Sequence, residues 1–337
     1  MSIRVDKISR TFGDTVALSQ VSFSVGPGIT GLLGHNGAGK STLLSLLAGY
    51  SSPDEGTVRI LDADPRIDRQ LHRRIGVVPD GSGLWPHLTA REAVTALAKL
   101  REVPNPSAAA AAALEEVGLT HAADRRLNEY SKGMGQRAKL AQALVHDPDV
   151  LLLDEPLNGL DPAQRRHMID VVSNRADNGC TVLVSSHVLH EVERMAPQVV
   201  VLVNGRVVAE GETVGIKALL RDRPQTVRVT LTGDPRPLAS ALAGAVSTQA
   251  IRVSDHRVEV DTLDPEALGL ELSRAASASG TTLRSIEPVG DDLESLYAYL
   301  TARARGAARR RSPASCSPAS SAANGPGPSR SFPHSAW

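Results

Sequence analysis

Aromatic side chains are scarce in this sequence: Phe, Trp and Tyr make up 3% of its 337 residues. So few flat side chains exclude the stacking platforms on which single-stranded nucleic acid is held. Net charge is also missing, with 37 basic against 37 acidic residues. The chain as a whole therefore has no pull toward DNA, RNA or anionic lipid, and no nucleic-acid partner is expected. Its two cysteines, Cys180 and Cys316, sit in unlike contexts. They make no disulfide framework and suit a reducing cytosol. No apolar run approaches the about 18 residues that span a bilayer. The opening MSIRVDKISR has no apolar core of the kind a signal peptide needs. A role at a membrane would therefore require a separate membrane partner.

The chain divides into three parts: residues 1–220, 224–302 and 303–337. In the first, 2-SIRVDKI-8, 16-VALSQVSFSV-25 and 57-TVRIL-61 are short, β-branched and bounded by turn residues, which predicts strands. The runs at 29–33, 150–154, 181–186 and 198–203 are continuously apolar rather than alternating. That pattern predicts strands buried on both faces, as in a parallel sheet covered by helices. Helical patterns follow at 89–102, 107–118 and 134–146, and Thr89 with Glu92 forms a capping-box pattern. The second part reads β-α-β-β-α-β, a ferredoxin-like α+β unit, with a last amphipathic helix at 291–301. The third part holds six arginines and no acids, leaving 31 basic against 37 acidic residues elsewhere. Its Ala, Arg, Ser, Pro and Gly composition predicts disorder.

The stretch 34-GHNGAGKST-42 follows the apolar run 29–33 and precedes the helical 41-STLLSLLAGY-50. This is the strand–GxxxxGK[ST]–helix arrangement of a P-loop. Glycines let consecutive backbone N–H groups turn toward phosphate oxygens, and the helix N-terminus favours the anion. Lys40 supplies a charge to the terminal phosphates and Ser41 a hydroxyl to Mg²⁺. The run 150-VLLLDEP-156 carries Asp154 and Glu155 to the carboxyl edge of a sheet, where open α/β folds bind ligands. Asp154 suits the Mg²⁺ shell, and Glu155 is placed to orient or deprotonate an attacking water. A third stretch, 131-SKGMGQ-136, sets Ser131, Gly133 and Gly135 at a helix start, 23 residues before Asp154. It is an ordinary N-cap or a second anion site.

Together these stretches resemble the ATP-binding subunit of an ABC transporter, over residues 2 to about 215. GHNGAGKST resembles Walker A, YSKGMGQ at 130–136 the family signature, and VLLLDEP Walker B. LNGLDP at 157–162 resembles the D-loop, and SSH at 185–187 the switch-histidine segment. The resemblance implies an α/β P-loop core sheet with antiparallel β and helical subdomains, followed here by a small α+β domain. It implies ATP and Mg²⁺ as cofactors, with Gly34, His35, Asn36, Gly37, Ala38, Gly39, Lys40, Ser41 and Thr42 around the phosphates. Phe12, 28 residues before Lys40, falls where the family places an aromatic under adenine. Two domains would pack head to tail, as a homodimer. Ser131 and Gly133 would then meet the γ-phosphate of the partner's nucleotide, and Asp161 would couple the two sites. His187 would hold the γ-phosphate and the attacking water in its own subunit's site.

Two departures stand out. The signature reads Tyr-Ser-Lys-Gly-Met in place of Leu-Ser-Gly-Gly-Gln, and Asp80 stands where the family usually has the Q-loop glutamine. Asp80 joins Ser41 and Asp154 as a candidate around Mg²⁺. With Pro79-Asp80, YSKGM and the added C-terminal unit, the chain is similar to the ATPases of ABC-2-type exporters, which include antibiotic and multidrug efflux systems. Their transmembrane permease is encoded separately, and they sit at the inner face of the cell membrane. The alternative is a soluble ABC ATPase acting on ribosomes or nucleic acid. DNA-repair members of that kind need a long coiled coil, whereas only about 90 residues separate Lys40 from Ser131. Ribosome-acting members carry two cassettes, and this chain has one P-loop. A non-hydrolytic regulator would lack Glu155 or His187, and both are present.

Overall fold

The computed structural model describes residues 1–81, 83–215 and 225–289. The predicted helix at 291–301 and the predicted disordered tail at 303–337 lie outside the described residues.

Strands β1 (Ile3–Phe12), β2 (Thr15–Val25) and β4 (Glu55–Ile60) form an antiparallel sheet in the order β2-β1-β4. A second sheet runs β5-β6-β7-β3-β8-β9. Its members are β3 (Gly28–Leu33), β5 (Ile75–Val78), β6 (Val150–Asp154), β7 (Thr181–Ser186), β8 (Gln198–Val203) and β9 (Arg206–Glu212). All neighbours in it pair parallel except β8 with β9.

The continuous apolar runs have the predicted cause. In β6, Leu152 faces a core shared with the antiparallel sheet and helix α1 (Lys40–Leu47), while Leu151 and Leu153 face a second core. In β7, Leu183 divides from Val182 and Val184 in the same way. The second core is filled by helices α2 (Ala90–Leu100), α3 (Pro106–Glu116), α4 (Lys132–Leu144) and α5 (Pro162–Asp177), packed on the opposite face. The capping box at α2 is formed as expected: Glu92 N–H donates to Thr89 Oγ1, and Thr89 N–H donates to the Glu92 carboxylate. A short helix, α6 (Leu189–Glu193), follows β7. Among the described residues no helix is long and apolar enough to cross a membrane.

After residue 224 come β10 (Gln225–Thr232), α7 (Arg236–Leu242), β11 (Thr248–Ser254), β12 (Arg257–Thr262), α8 (Pro265–Ser279) and β13 (Thr282–Val289). The sheet order is β11-β12-β10-β13, antiparallel throughout. Each β-α-β unit is split by a strand of the other, which is the ferredoxin-like arrangement read from the element order. Val229, Leu231, Val258 and Val260 meet Leu238, Leu242, Leu268 and Leu272 of the two helices. The other face carries polar side chains, with Arg228 paired to Glu259 and Arg252 to Asp261.

Parallel pairing in register sets the site. Leu33 lies opposite Ser186, Asp154 opposite Ser185, and Val78 opposite Leu153. The segments that follow β3, β5, β6 and β7 therefore all leave the sheet at one edge, as ligand sites of open α/β sheets require.

Candidate active site

At that edge the loop after β3 wraps back onto the helix it precedes. Gly39 has φ 105°, a left-handed conformation, and a Cβ there would lie 2.6 Å from the Ala17 carbonyl oxygen. Only glycine admits that approach without strain. It starts α1 with no side-chain cap, so the N-terminal N–H groups of the helix are left to a ligand. Lys40 is 6% exposed. Its ammonium donates to the Gly34 carbonyl at 2.6 Å and lies 3.2 Å from Glu155 Oε1.

Glu155 is the junction. It is buried, with φ 48°, uncommon for a residue other than glycine. Its neighbours fix that backbone: its N–H donates to Ser185 Oγ at 2.9 Å, and its carbonyl accepts from Asn158 N–H and the Gln136 amide. Glu155 Oε2 accepts from His187 Nδ1 at 2.9 Å, which leaves His187 Nε2 as its free ring nitrogen. The Lys40 contact is an ion pair without hydrogen-bond alignment, so Glu155 Oε1 is buried with no hydrogen-bond donor. An unsatisfied buried carboxylate oxygen is costly and is the natural acceptor for a water. Asp154 is buried beside it and accepts the Ser185 hydroxyl at 2.6 Å.

A cleft of about 340 Å³ opens over these groups. It is lined by Thr15, Val16, Ala17, Asn36, Gly37, Gly39, Lys40, Ser41, Thr42, Asp80 and Glu155. Asn36, Gly37, Gly39, Lys40, Ser41 and Thr42 of the phosphate motif thus meet Glu155 of the Walker B strand, with His187 attached through Glu155, while Asp154 is buried outside the lining. Gly34, His35 and Ala38 belong to the same loop but do not line the cleft, and Ala38 is fully buried. Among the described residues no three His, Cys, Asp or Glu gather to hold a metal. Mg²⁺ with a nucleotide is commonly held by one or two carboxylates together with substrate phosphates. Ser41, Asp154 and Asp80 are the groups of this chain that fit it.

Phe12 is not in the cleft lining. It ends β1 half-exposed, with the Arg10 guanidinium 4.7 Å from its ring centroid, and Thr15, Val16 and Ala17 of the same hairpin line the cleft instead. Ser131, Gly133 and Asp161 also lie outside it, and they belong to one packed cluster. Ser131 caps α4 by accepting from Met134 N–H, and Asp161 caps α5 by accepting from Ala163 and Gln164 N–H. A Cβ on Gly133 would lie 2.4 Å from Gln164 Oε1, so the two helix starts are in contact and a larger residue there would push the Gln164 side chain aside.

Ser185, Gln136 and Lys139 were not singled out from the sequence. Ser185 lay in the SSH stretch, and only the register opposite Asp154 gives it a role. Lys139 is buried in α4 and donates to the carbonyls of Pro79, Asp80 and Gly81. Burial lowers its pKa, while the Asp80 charge acts in the opposite direction.

Comparison with known proteins agrees with this geometry. The family described as ABC transporter matches residues 18–158. The Nod factor export ATP-binding protein I of Paraburkholderia xenovorans (strain LB400) is 40% identical over 215 residues, which cover 62% of this chain and 70% of that protein. The bacitracin transport ATP-binding protein BcrA of Enterococcus faecalis is 30% identical over 303 residues, covering 88% of this chain and 96% of that protein. Among solved structures, a dimeric bacterial ABC transporter cassette superimposes with a TM-score of 0.59 and 26% identity, over 63% of this chain and 98% of that one. The glycine-rich strand-to-helix loop, Lys40 buried against Glu155 and relatives matched along most of their length agree: this chain belongs to the ATP-binding subunits of ABC transporters and is an ATPase.

Proposed function

We propose that the chain binds and hydrolyses Mg·ATP to power an ABC-2-type exporter, docked at the inner face of the membrane on a separately encoded permease. The observation that carries this is the continuous line of contacts Lys40–Glu155–His187 at the floor of the phosphate cleft. In the resting arrangement Lys40 is held by Glu155 and the Gly34 carbonyl. Entry of the phosphates offers the ammonium stronger acceptors, so it turns to them and leaves Glu155 for a water. His187, fixed by its Nδ1–H donation to Glu155, presents Nε2 toward the γ-phosphate. Mg²⁺ would be held by Ser41, Asp154 and Asp80 and would neutralise charge on the phosphates. Residues 1–220 form the ATP-binding domain, and residues 224–302 form a separate small α+β domain. Two copies, as a homodimer, enclose the nucleotides, with Ser131, Gly133 and Asp161 facing the partner's site. Cargo is specified by the membrane partner; the relatives named above differ in theirs.

The test is a pull-down from native membranes with Glu155→Gln protein and Mg·ATP. Co-purification of a polytopic membrane protein is expected. Ribosomes or nucleic acid without any membrane protein would move the function to a soluble ABC ATPase while leaving the site as described.

A further inference from the structure

The reading above uses every charged group of the cleft floor but leaves a buried cation unexplained. Lys139 stands on α4, 8% exposed. Its ammonium donates to three consecutive carbonyls, Pro79 at 3.1 Å, Asp80 at 3.3 Å and Gly81 at 2.5 Å. Three N–H donors thus meet three acceptors, which is what a lysine needs to stay charged inside a protein. A loop with three successive carbonyls turned to one point has little freedom left. The middle residue of that loop, Asp80, lines the phosphate cleft together with Lys40, Ser41 and Glu155.

The charges make the arrangement purposeful. Glu155 lines the cleft and Asp154 is buried next to it in the chain, and the nucleotide brings further negative charge. A third carboxylate would be repelled unless something held its backbone in place and offset its charge. Lys139 is suited to both tasks. It belongs to the helix capped by Ser131, so it also joins the Asp80 loop to the surface expected to meet a partner's nucleotide.

We propose that Lys139 is a positioning residue for Asp80: its ammonium holds loop 79–81 so that the Asp80 carboxylate meets the Mg²⁺ of the bound nucleotide. This rests on the Mg·ATP reading of the cleft. It assigns Lys139 and Asp80 as one unit replacing a neutral glutamine side chain by a carboxylate with its own counter-charge.

The test measures binding of a fluorescent ATP analogue to full-length Glu155→Gln protein across a Mg²⁺ titration. In Lys139→Met, the Mg²⁺ concentration at half-saturation is expected to rise about 10-fold, the low end of what losing the support behind a metal ligand costs. Binding without Mg²⁺ is expected to stay within about twofold, because the P-loop cradle is untouched. In an Asp80→Asn background the same substitution should have little further effect, because the two residues act through one contact. An unchanged Mg²⁺ requirement in Lys139→Met overturns the proposal, and so does an equal shift with or without Asp80. A merely structural role would lower binding with and without Mg²⁺ alike. Should Lys139→Met fail to fold, Lys139→Gln keeps a donor to the loop carbonyls and carries the same comparison. A parent protein with no Mg²⁺-dependent nucleotide binding would instead overturn the Mg·ATP reading, and this one with it.

Discussion

Removing either end of the Lys40–Glu155 pair does different damage. Glu155→Gln keeps the shape and the His187 contact but removes the proton acceptor. ATP binding is expected to persist while phosphate release falls about 10²-fold or more, the range typical for loss of a general base. Near-normal turnover would take Glu155 out of its role. Lys40→Ala removes the phosphate's partner and strands a buried carboxylate. It should abolish tight nucleotide binding by calorimetry and cost roughly 3–5 kcal/mol in urea unfolding, as broken buried pairs do. Lys40→Ala with Glu155→Gln should regain most of that stability but none of the binding; strictly additive losses would show that the two groups are not coupled. Gly39→Ala separates backbone from charge. Its φ of 105° and the nearby Ala17 carbonyl predict a loss of about 1–3 kcal/mol, with ATP affinity falling as the cradle deforms.

At the scale of elements, α4 shows what the sequence disclosed and what it withheld. Its existence and the Ser131 cap were legible, because capping residues leave a local signal. So were the four central strands, whose continuous apolar runs are what burial on two faces demands. Strand β5 has only four residues and β9 is a partly exposed edge, so neither gave a pattern long enough to read. Helix α5 buries only Met168, Val171 and Val172 of sixteen residues, too narrow a stripe to show as amphipathic. Nor could spacing reveal the left-handed Glu155 or the Lys139 clamp, which depend on register between distant strands and on a loop about sixty residues away. The C-terminal end of α4 is tied down by His146, just past the helix, whose Nε2–H donates to the Ile75 carbonyl of β5 at 3.0 Å. Burial pushes its pKa below the usual 6.5, against a smaller opposing effect of that bond. The unfolded chain then binds a proton that the folded chain refuses, so stability is intact above about pH 6.5 and lost as pH falls below it. The urea midpoint should therefore drop between pH 7 and pH 5.5, and drop less in His146→Gln, which keeps a donor and does not titrate. An equal drop in both proteins would assign the acid sensitivity elsewhere.

For the whole molecule the decisive question is whether one chain holds a complete site. The cleft is lined by Lys40, Ser41, Thr42 and other residues of the phosphate motif, but Ser131, Gly133 and Asp161 lie outside it, clustered where α4 and α5 begin. The proposed head-to-tail dimer would account for that separation, since each chain would complete the other's site. Ser131→Asp tests this without disturbing the monomer. Aspartate caps a helix as well as serine does, so the bond from Met134 N–H has a substitute and α4 is preserved. Its carboxylate, however, would face the γ-phosphate carried by the partner, and like charges at close range repel. Nucleotide binding by the isolated chain should therefore change less than about twofold, since the cradle's own donors are intact. Mg·ATP is expected to double the mass of Glu155→Gln protein in sedimentation velocity, and Ser131→Asp in that background should abolish the doubling. Phosphate release by the otherwise unaltered chain should fall about 10-fold or more, matching the roughly 1.5–3 kcal/mol of a hydrogen bond to a charged group that is replaced by repulsion. Wild-type hydrolysis in Ser131→Asp would mean that no phosphate ever meets this helix, and that the separation of the two groups of residues has another cause.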